Sequence, residues 1–345
     1  MKPLLQVENL KVWFPKATTF FGTPISWIKA VDDVCFELKH GETIGLVGES
    51  GSGKSTTGYS ILRSLTPRSG RMLFSPDGEK QHDLAQLNQK QLRPLRKHMQ
   101  LIFQDPFSSL NPRMTVLQLV SEPLIVNGIT NKGELRDRVR GLIVEAGLKA
   151  DFLNRYPHAF SGGQRQRIGI ARALALSPKL VVADEAVSAL DVSVQAQILN
   201  LLLDLREKHG LSYIFIAHNL EVVRHISNRV AVMYAGRLVE DGPTEEVFGN
   251  PKHPYTQALL ASSPKPDPTS TRKARQLPGE VPDPSNLPSG CVFHPRCPSR
   301  MPECSVRVPV TTKVGDSNVR CLLHETSSTP TAAPMYPEPF AEKSP

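Results

Sequence analysis

Gly48-Glu49-Ser50-Gly51-Ser52-Gly53-Lys54-Ser55-Thr56 follows the apolar run Thr43 to Val47 and fits the spacing G-x-x-x-x-G-K-[ST] of a phosphate-cradling loop. A strand ending at Val47 would hand the chain to glycines that turn successive backbone N–H groups inward. A helix beginning near Lys54 would then aim its positive dipole end at the same point. The arrangement predicts a bound polyanion. Lys54 is expected to reach β- and γ-phosphates and the Ser55 hydroxyl to take a position on Mg²⁺. The bland alternative is a flexible glycine turn, and the order of the motifs downstream decides between the two.

The chain has 345 residues, enough for a nucleotide-binding core with a C-terminal appendage. Its net charge of +8 suits a nucleic acid, an anionic membrane surface or a nucleotide-binding face, and no basic block chooses among them. No stretch approaches about 18 apolar residues and no leader pattern opens the chain, so a soluble, unexported protein is expected. Four of the five cysteines crowd into Cys291 to Cys321, which reads as metal chemistry rather than a disulfide framework.

Leu4 to Phe14 and Ile28 to Leu38 alternate like half-buried antiparallel strands around an excursion, Pro15 to Trp27. Phe14 is either a core aromatic or a platform for an adenine ring, and Cys35 reads as core. Met99 to Phe103 is a buried strand that delivers Gln104, whose amide oxygen can touch Mg²⁺ and a nucleophilic water. From Met114 to Gly147 the texture is helical, and Leu135, Val139, Leu142, Ile143 and Ala146 share one face as core. Ser161-Gly162-Gly163-Gln164 opens the next helix with Ser161 as N-cap, a second helix end competent to meet an anion. Leu180 to Ala183 is a continuous apolar run ending in Asp184-Glu185, as in a buried parallel strand with acids at its carboxyl end. There Asp184 would hold Mg²⁺ and Glu185 would polarise the attacking water. Ser188 to Asp191 forms a tight loop before a helix over Val194 to Lys208, and the strand Tyr213 to Ala217 ends at His218, placed to meet a γ-phosphate.

The set Gly48 to Thr56, Gln104, Ser161 to Gln164, Asp184-Glu185, Ser188 to Asp191 and His218 resembles the ABC-type ATPases in order and spacing. In that family these positions are the P-loop, Q-loop, signature, Walker B with catalytic glutamate, D-loop and switch histidine. The resemblance covers about Leu4 to Leu260, with Ala186 standing where the family has proline. Phe103-Gln104-Asp105-Pro106, His253-Pro254-Tyr255-Thr256 and the segment Pro288 to Pro298 are similar to the dipeptide/oligopeptide importer ATPases, particularly their second, F-type subunit.

The resemblance implies an α/β P-loop NTPase core with an antiparallel β-subdomain and a helical subdomain, and a small C-terminal Cys-rich module. The expected divisions are an ATPase domain over 1–262, its helical subdomain over about 105–176, a C-terminal module over 263–324 and a disordered tail over 325–345. The implied activity is a transport-coupled ATPase importing dipeptides, oligopeptides or related small solutes from the cytoplasmic face of the inner membrane, as a peripheral subunit. Implied partners are a related ATPase in a heterodimer, two membrane permeases and an extracytoplasmic binding protein. ATP with Mg²⁺ would be sandwiched between Gly48 to Thr56 of one subunit and Ser161 to Gln164 and Asp191 of the other. A soluble ABC ATPase acting on nucleic acid or the ribosome is the rival, but it typically needs tandem cores or coiled-coil insertions, and neither is visible. Cys291, Cys297, Cys304 and Cys321, spaced C-x₅-C-x₆-C-x₁₆-C, suit tetrahedral Zn²⁺ or a [4Fe–4S] cluster. The resemblance tilts the choice toward the cluster, with His294 and His324 as alternative ligands, and a redox-sensing role is compatible with transport.

Overall fold

The computed structural model describes residues 2–19, 24–262 and 279–325. The tail expected over 325–345 lies outside these residues, apart from position 325.

The chain opens with two long strands, β1 (Leu5–Thr18) and β2 (Pro24–Leu38), then β3 (Thr43–Val47) and the helix α1 (Lys54–Ile61). Next come β4 (Ser69–Phe74), β5 (His82–Asp83), α2 (Gln89–Arg96) and β6 (Met99–Ile102). Three helices follow, α3 (Val116–Val126), α4 (Lys132–Glu145) and α5 (Gly162–Leu174). The chain then alternates through β7 (Leu180–Asp184), α6 (Val192–His209), β8 (Ser212–Ile216), α7 (Leu220–Ile226), β9 (Arg229–Tyr234) and β10 (Arg237–Pro243). It ends in α8 (Thr244–Gly249), α9 (Pro254–Ser262) and the short strands β11 (Thr312–Val314) and β12 (Ser317–Val319).

Among the described residues the central sheet runs β11-β12-β10-β9-β3-β8-β7-β6. Its middle strands β9, β3, β8, β7 and β6 are parallel. Every residue of β3, β7 and β8 is buried, which explains why these segments read as unbroken apolar runs rather than alternating ones. A second, antiparallel sheet, β2-β1-β4-β5, packs its Leu5, Val7, Leu10 and Phe74 against the same core as Ile44 and Leu46 of β3. The helices α3, α4 and α5 form a third cluster, in which Leu135, Val139, Ile143 and Ala146 are buried as their spacing predicts.

Two expectations are corrected. Of the excursion expected over Pro15 to Trp27, Pro15–Thr18 and Pro24–Trp27 are paired strand, with Pro15 opposite Trp27 and Thr18 opposite Pro24. Beyond Lys11, β1 has no partner on its β4 side and is an edge strand, the kind of position where proline is tolerated. The C-terminal segment is not a separate module. Its β12 pairs with β10, Val319 opposite Glu240 and Asn318 opposite Asp241, so the hairpin β11–β12 extends the core sheet. Arg320 then ties it to the β-subdomain, pairing with the Asp33 carboxylate and donating to the Asp33 carbonyl at 3.2 Å. A segment with few apolar residues gains stability by joining an existing sheet rather than by building its own core.

Candidate active site

The P-loop leaves β3 through Gly48 (φ 149°) and enters α1 through Gly53 (φ 101°). A Cβ at Gly48 would lie 2.2 Å from the Met233 carbonyl oxygen, and one at Gly53 would lie 2.3 Å from that of Ala30. Glycine is therefore required twice, by close backbone approach as well as by φ. Ala30 is the bulged residue of β2, between the pairs Val12–Val31 and Trp13–Lys29. Phe14 of β1, opposite Ile28 and 36% exposed, pairs just beyond that bulge with the strand that touches the loop.

Lys54 Nζ folds back onto its own loop, donating to the carbonyls of Gly48 (2.8 Å) and Glu49 (2.9 Å) and to Ser52 Oγ (3.3 Å). Burial lowers its pKa, while the carboxylates of Glu185, Asp184 and Glu49 act to raise it. A phosphate replacing those carbonyls would supply full negative charge to a desolvated ammonium. The Ser55 hydroxyl donates to Asp184 Oδ1 (2.8 Å), and the Tyr59 hydroxyl donates to Oδ2 (2.7 Å). Tyr59, whose pKa burial and this hydrogen bond push up to about 12, was missed in the sequence reading. Its signal was present, because Ser55 and Tyr59 are i,i+4 on α1 and so share the face turned to Asp184.

Glu185 follows β7 with φ 46°, a left-handed conformation uncommon outside glycine, and its N–H donates to Ile216 O of β8 at 2.9 Å. Ser188 closes the turn, its N–H and hydroxyl each donating to Glu185 O at 3.0 Å. The turn is thus held by hydrogen bonds with the buried Ala186 at the position next to it. Gln104 Nε2 donates to Glu185 Oε2 at 2.6 Å, and His218 Nδ1 lies 3.5 Å from Oε1. Gln104, Glu185 and His218, from three strand ends, thus converge beside Ser55 and Asp184. The donors here are a hydroxyl, carboxylates and an amide oxygen, the oxygen set that suits Mg²⁺.

The remaining site residues gather elsewhere. Ser161 caps α5 by accepting from the Gln164 N–H (3.4 Å), while the Gln164 side chain accepts from the Ser161 N–H (3.1 Å). Asp191 caps α6 through the Val194 N–H (3.0 Å) and the Ser193 hydroxyl (2.7 Å), bonds that hold its carboxyl below the ordinary range. These two helix starts touch each other: a Cβ on Gly163 would lie 2.4 Å from Val194 Cγ1, and one on Gly162 would lie 3.5 Å from Leu190 Cδ2. Ser161 and Asp191 are exposed. Among the described residues no hydrogen bond or ion pair joins Ser161–Gln164 to Gly48–Thr56.

Two further residues reach the P-loop from the C-terminal part. Arg296 pairs with the Glu49 carboxylate, and the Tyr255 hydroxyl accepts from the Glu49 N–H at 2.9 Å. Neither carries a local sequence signal, since each partner is more than two hundred residues away.

The expectation of a formed metal cage is corrected. Among the described residues no group of three or more His, Cys, Asp or Glu side chains is placed to hold a metal ion. All the described cysteines are free thiols, and burial raises Cys291, Cys297 and Cys321, the last to about 11. The alternative ligands are engaged as well, His294 Nδ1 with Cys291 O (2.9 Å) and His324 Nε2 with Lys252 O (3.1 Å). The segment is held by strand pairing and by apolar packing of Val292, Phe293 and Leu322 against the main core.

A family profile described as ABC transporter matches residues 31–188, and one described as Oligopeptide/dipeptide transporter, C-terminal region, matches residues 239–304. The chain is 47% identical over 325 residues to the Oligopeptide transport ATP-binding protein AppF of Bacillus subtilis, covering 93% of this chain and 97% of that one. It is 46% identical over 307 residues to the Dipeptide transport ATP-binding protein DppF of Haemophilus influenzae, covering 89% and 92% respectively. Among solved structures it is similar to the dimeric post-hydrolysis state of the ATP-binding cassette MJ0796 bound to ADP and Pi. That match has 29% identity and a TM-score of 0.61 over 70% of this chain and 98% of the other.

Proposed function

This chain belongs to the ABC transporter ATPases, as an ATP-binding subunit of the oligopeptide/dipeptide importers, and we propose from that premise how its residues bind and hydrolyse ATP. Its role is to energise peptide import, with a partner ATPase, permeases and a binding protein completing the transporter.

The P-loop amides and Lys54 hold the phosphates, and Phe14 stacks on the adenine. Ser55 and Asp184 would hold Mg²⁺, with Gln104 alongside, and the ion would neutralise charge on the phosphates. Glu185 orients and deprotonates the attacking water. One of its oxygens is engaged by Gln104 and the other faces His218, which contacts the γ-phosphate. The observation that carries this reading is the convergence of Gln104, Asp184, Glu185 and His218 on the P-loop helix.

Ser161 to Gln164 and Asp191 serve the nucleotide of the second subunit. The exposure of Ser161 and Asp191, with no bond among the described residues from Ser161–Gln164 to their own P-loop, supports a site completed in trans, in a heterodimer at the cytoplasmic membrane face. Among the described residues no helix is long and apolar enough to cross a membrane. The rival role on nucleic acid or ribosomes gains no support from the match of residues 239–304. ATPase assays of the chain alone and with its partner subunits test the reading, a rate that rises only on assembly being the expected result.

A [4Fe–4S] or Zn²⁺ centre on Cys291, Cys297, Cys304 and Cys321 is a separate proposal. It rests on the clustering of four free thiols, three of them buried, and requires them to close up on the metal. Iron, sulfide and zinc analysis of anaerobically purified protein decides it.

A further inference from the structure

Glu49 lies in the P-loop next to Gly48 and is gripped at three points. Its N–H donates to Tyr255 Oη (2.9 Å), its carbonyl accepts from Lys54 Nζ (2.9 Å), and its carboxylate takes a two-pronged bond from Arg296. The Arg296 distances are 2.7 Å from Nη1 to Oε2 and 3.1 Å from Nη2 to Oε1. Arg296 is only 7% exposed and also donates to Tyr234 Oη at 3.3 Å. Tyr234, Tyr255 and Phe293 pack against one another, edge to face at Phe293 and tilted between the two tyrosines, with ring centroids 4.6 to 5.4 Å apart, and the Arg296 guanidinium lies 5.7 Å from the Tyr234 ring centroid. A bidentate guanidinium fixed by packed aromatics is a preorganised partner that a lysine or a solvent cation does not replace.

An unpaired carboxylate in the P-loop would repel the triphosphate that the loop exists to bind. The charge of Glu49 is felt at Lys54, so it is felt where β- and γ-phosphates sit. We propose that Arg296 is a positioning residue of the ATP site, delivered by the C-terminal segment, that orients Glu49 and neutralises it against the bound nucleotide. The segment carrying Arg296 lies between Cys291 and Cys297, so ATP affinity depends on how that segment is folded. The inference rests on the ATP-site reading above.

The test is Mg·ATP titration of the full-length chain in four variants. Arg296→Met should weaken binding about tenfold, about 1.4 kcal/mol, and Arg296→Lys, which keeps the charge but loses the two-pronged geometry, should fall between Arg296→Met and the parent. Glu49→Gln should bind at least about twofold more tightly, since it leaves the cation and removes the anion. Adding Glu49→Gln to Arg296→Met should recover most of the loss. Opposite signs for the two single variants are a readout that simple loss of packing would not produce. An Arg296→Met affinity within twofold of the parent, a weakened Glu49→Gln, or a double variant no better than Arg296→Met would overturn the proposal. Should Arg296→Met fail to fold, the sign of the Glu49→Gln change decides alone. Lys54→Ala, titrated in parallel, separates the two levels. Its loss of binding alongside a normal Arg296→Met would sink only this inference, whereas normal binding by Lys54→Ala would sink the P-loop reading itself.

Discussion

Replacing Glu185 by glutamine removes one property, the ability to accept a proton, at nearly constant shape. In the folded chain Oε2 is already taken by Gln104 Nε2 at 2.6 Å, leaving Oε1 as the oxygen turned toward His218 and an incoming water. A glutamine can keep a hydrogen bond to Gln104 but presents no basic oxygen. General-base assistance contributes about 10²- to 10⁴-fold, which at about 1.36 kcal/mol per decade is about 2.7 to 5.4 kcal/mol of barrier. The same change deletes an anion whose charge acts on Lys54, so Mg·ATP affinity should hold or tighten. Steady-state phosphate release by the assembled complex should therefore fall at least about 10²-fold while nucleotide binding to the variant chain persists. Turnover within a few-fold of the parent would refute the assignment of Glu185, and loss of binding in step with turnover would refute the separation of roles between Glu185 and Lys54.

Four other outcomes follow from the geometry. Gly163→Ala drives a methyl to 2.4 Å from the stiff Val194 Cγ1 and should cost about 1 to 3 kcal/mol in urea unfolding. Gly169→Ala on the same helix meets nothing within 4 Å and should gain up to about 1 kcal/mol. Buried His253, whose Nδ1 accepts from the Tyr255 N–H, has its pKa pushed down to about 3 from about 6.5. The unfolded chain then binds the extra proton between these values, so stability falls as pH drops through this window, by about 2 kcal/mol from pH 7 to 5. His253→Asn should flatten that acid limb in denaturation curves. Finally, hydrolysis by this chain should rise with added partner ATPase, and a full, concentration-independent rate from the monomer would contradict a site completed in trans.

Local chemistry made much of this legible. Glycine spacing marks the P-loop, an N-cap serine marks the start of α5, and unbroken apolar runs mark β3, β7 and β8. Legibility ended where contacts are distant in sequence. Strands β11 and β12 have three residues each, too few to show a period, and their place in the central sheet comes from pairing with β10. Pro15–Thr18 and Pro24–Trp27 hold residues typical of a turn yet are strand, each held by the other across the hairpin. Arg296 and Glu49 are opposite charges 247 residues apart, and only the fold brings them together.

The most direct test of the central claim is peptide uptake by proteoliposomes carrying this chain with its partner ATPase and permeases, supplied with the binding protein and with ATP on the ATPase side. Labelled peptide should accumulate with the parent chain in proportion to ATP hydrolysed, and accumulation should stop with Glu185→Gln. Equal accumulation with that variant, or ATP hydrolysis that moves no peptide, would contradict the account.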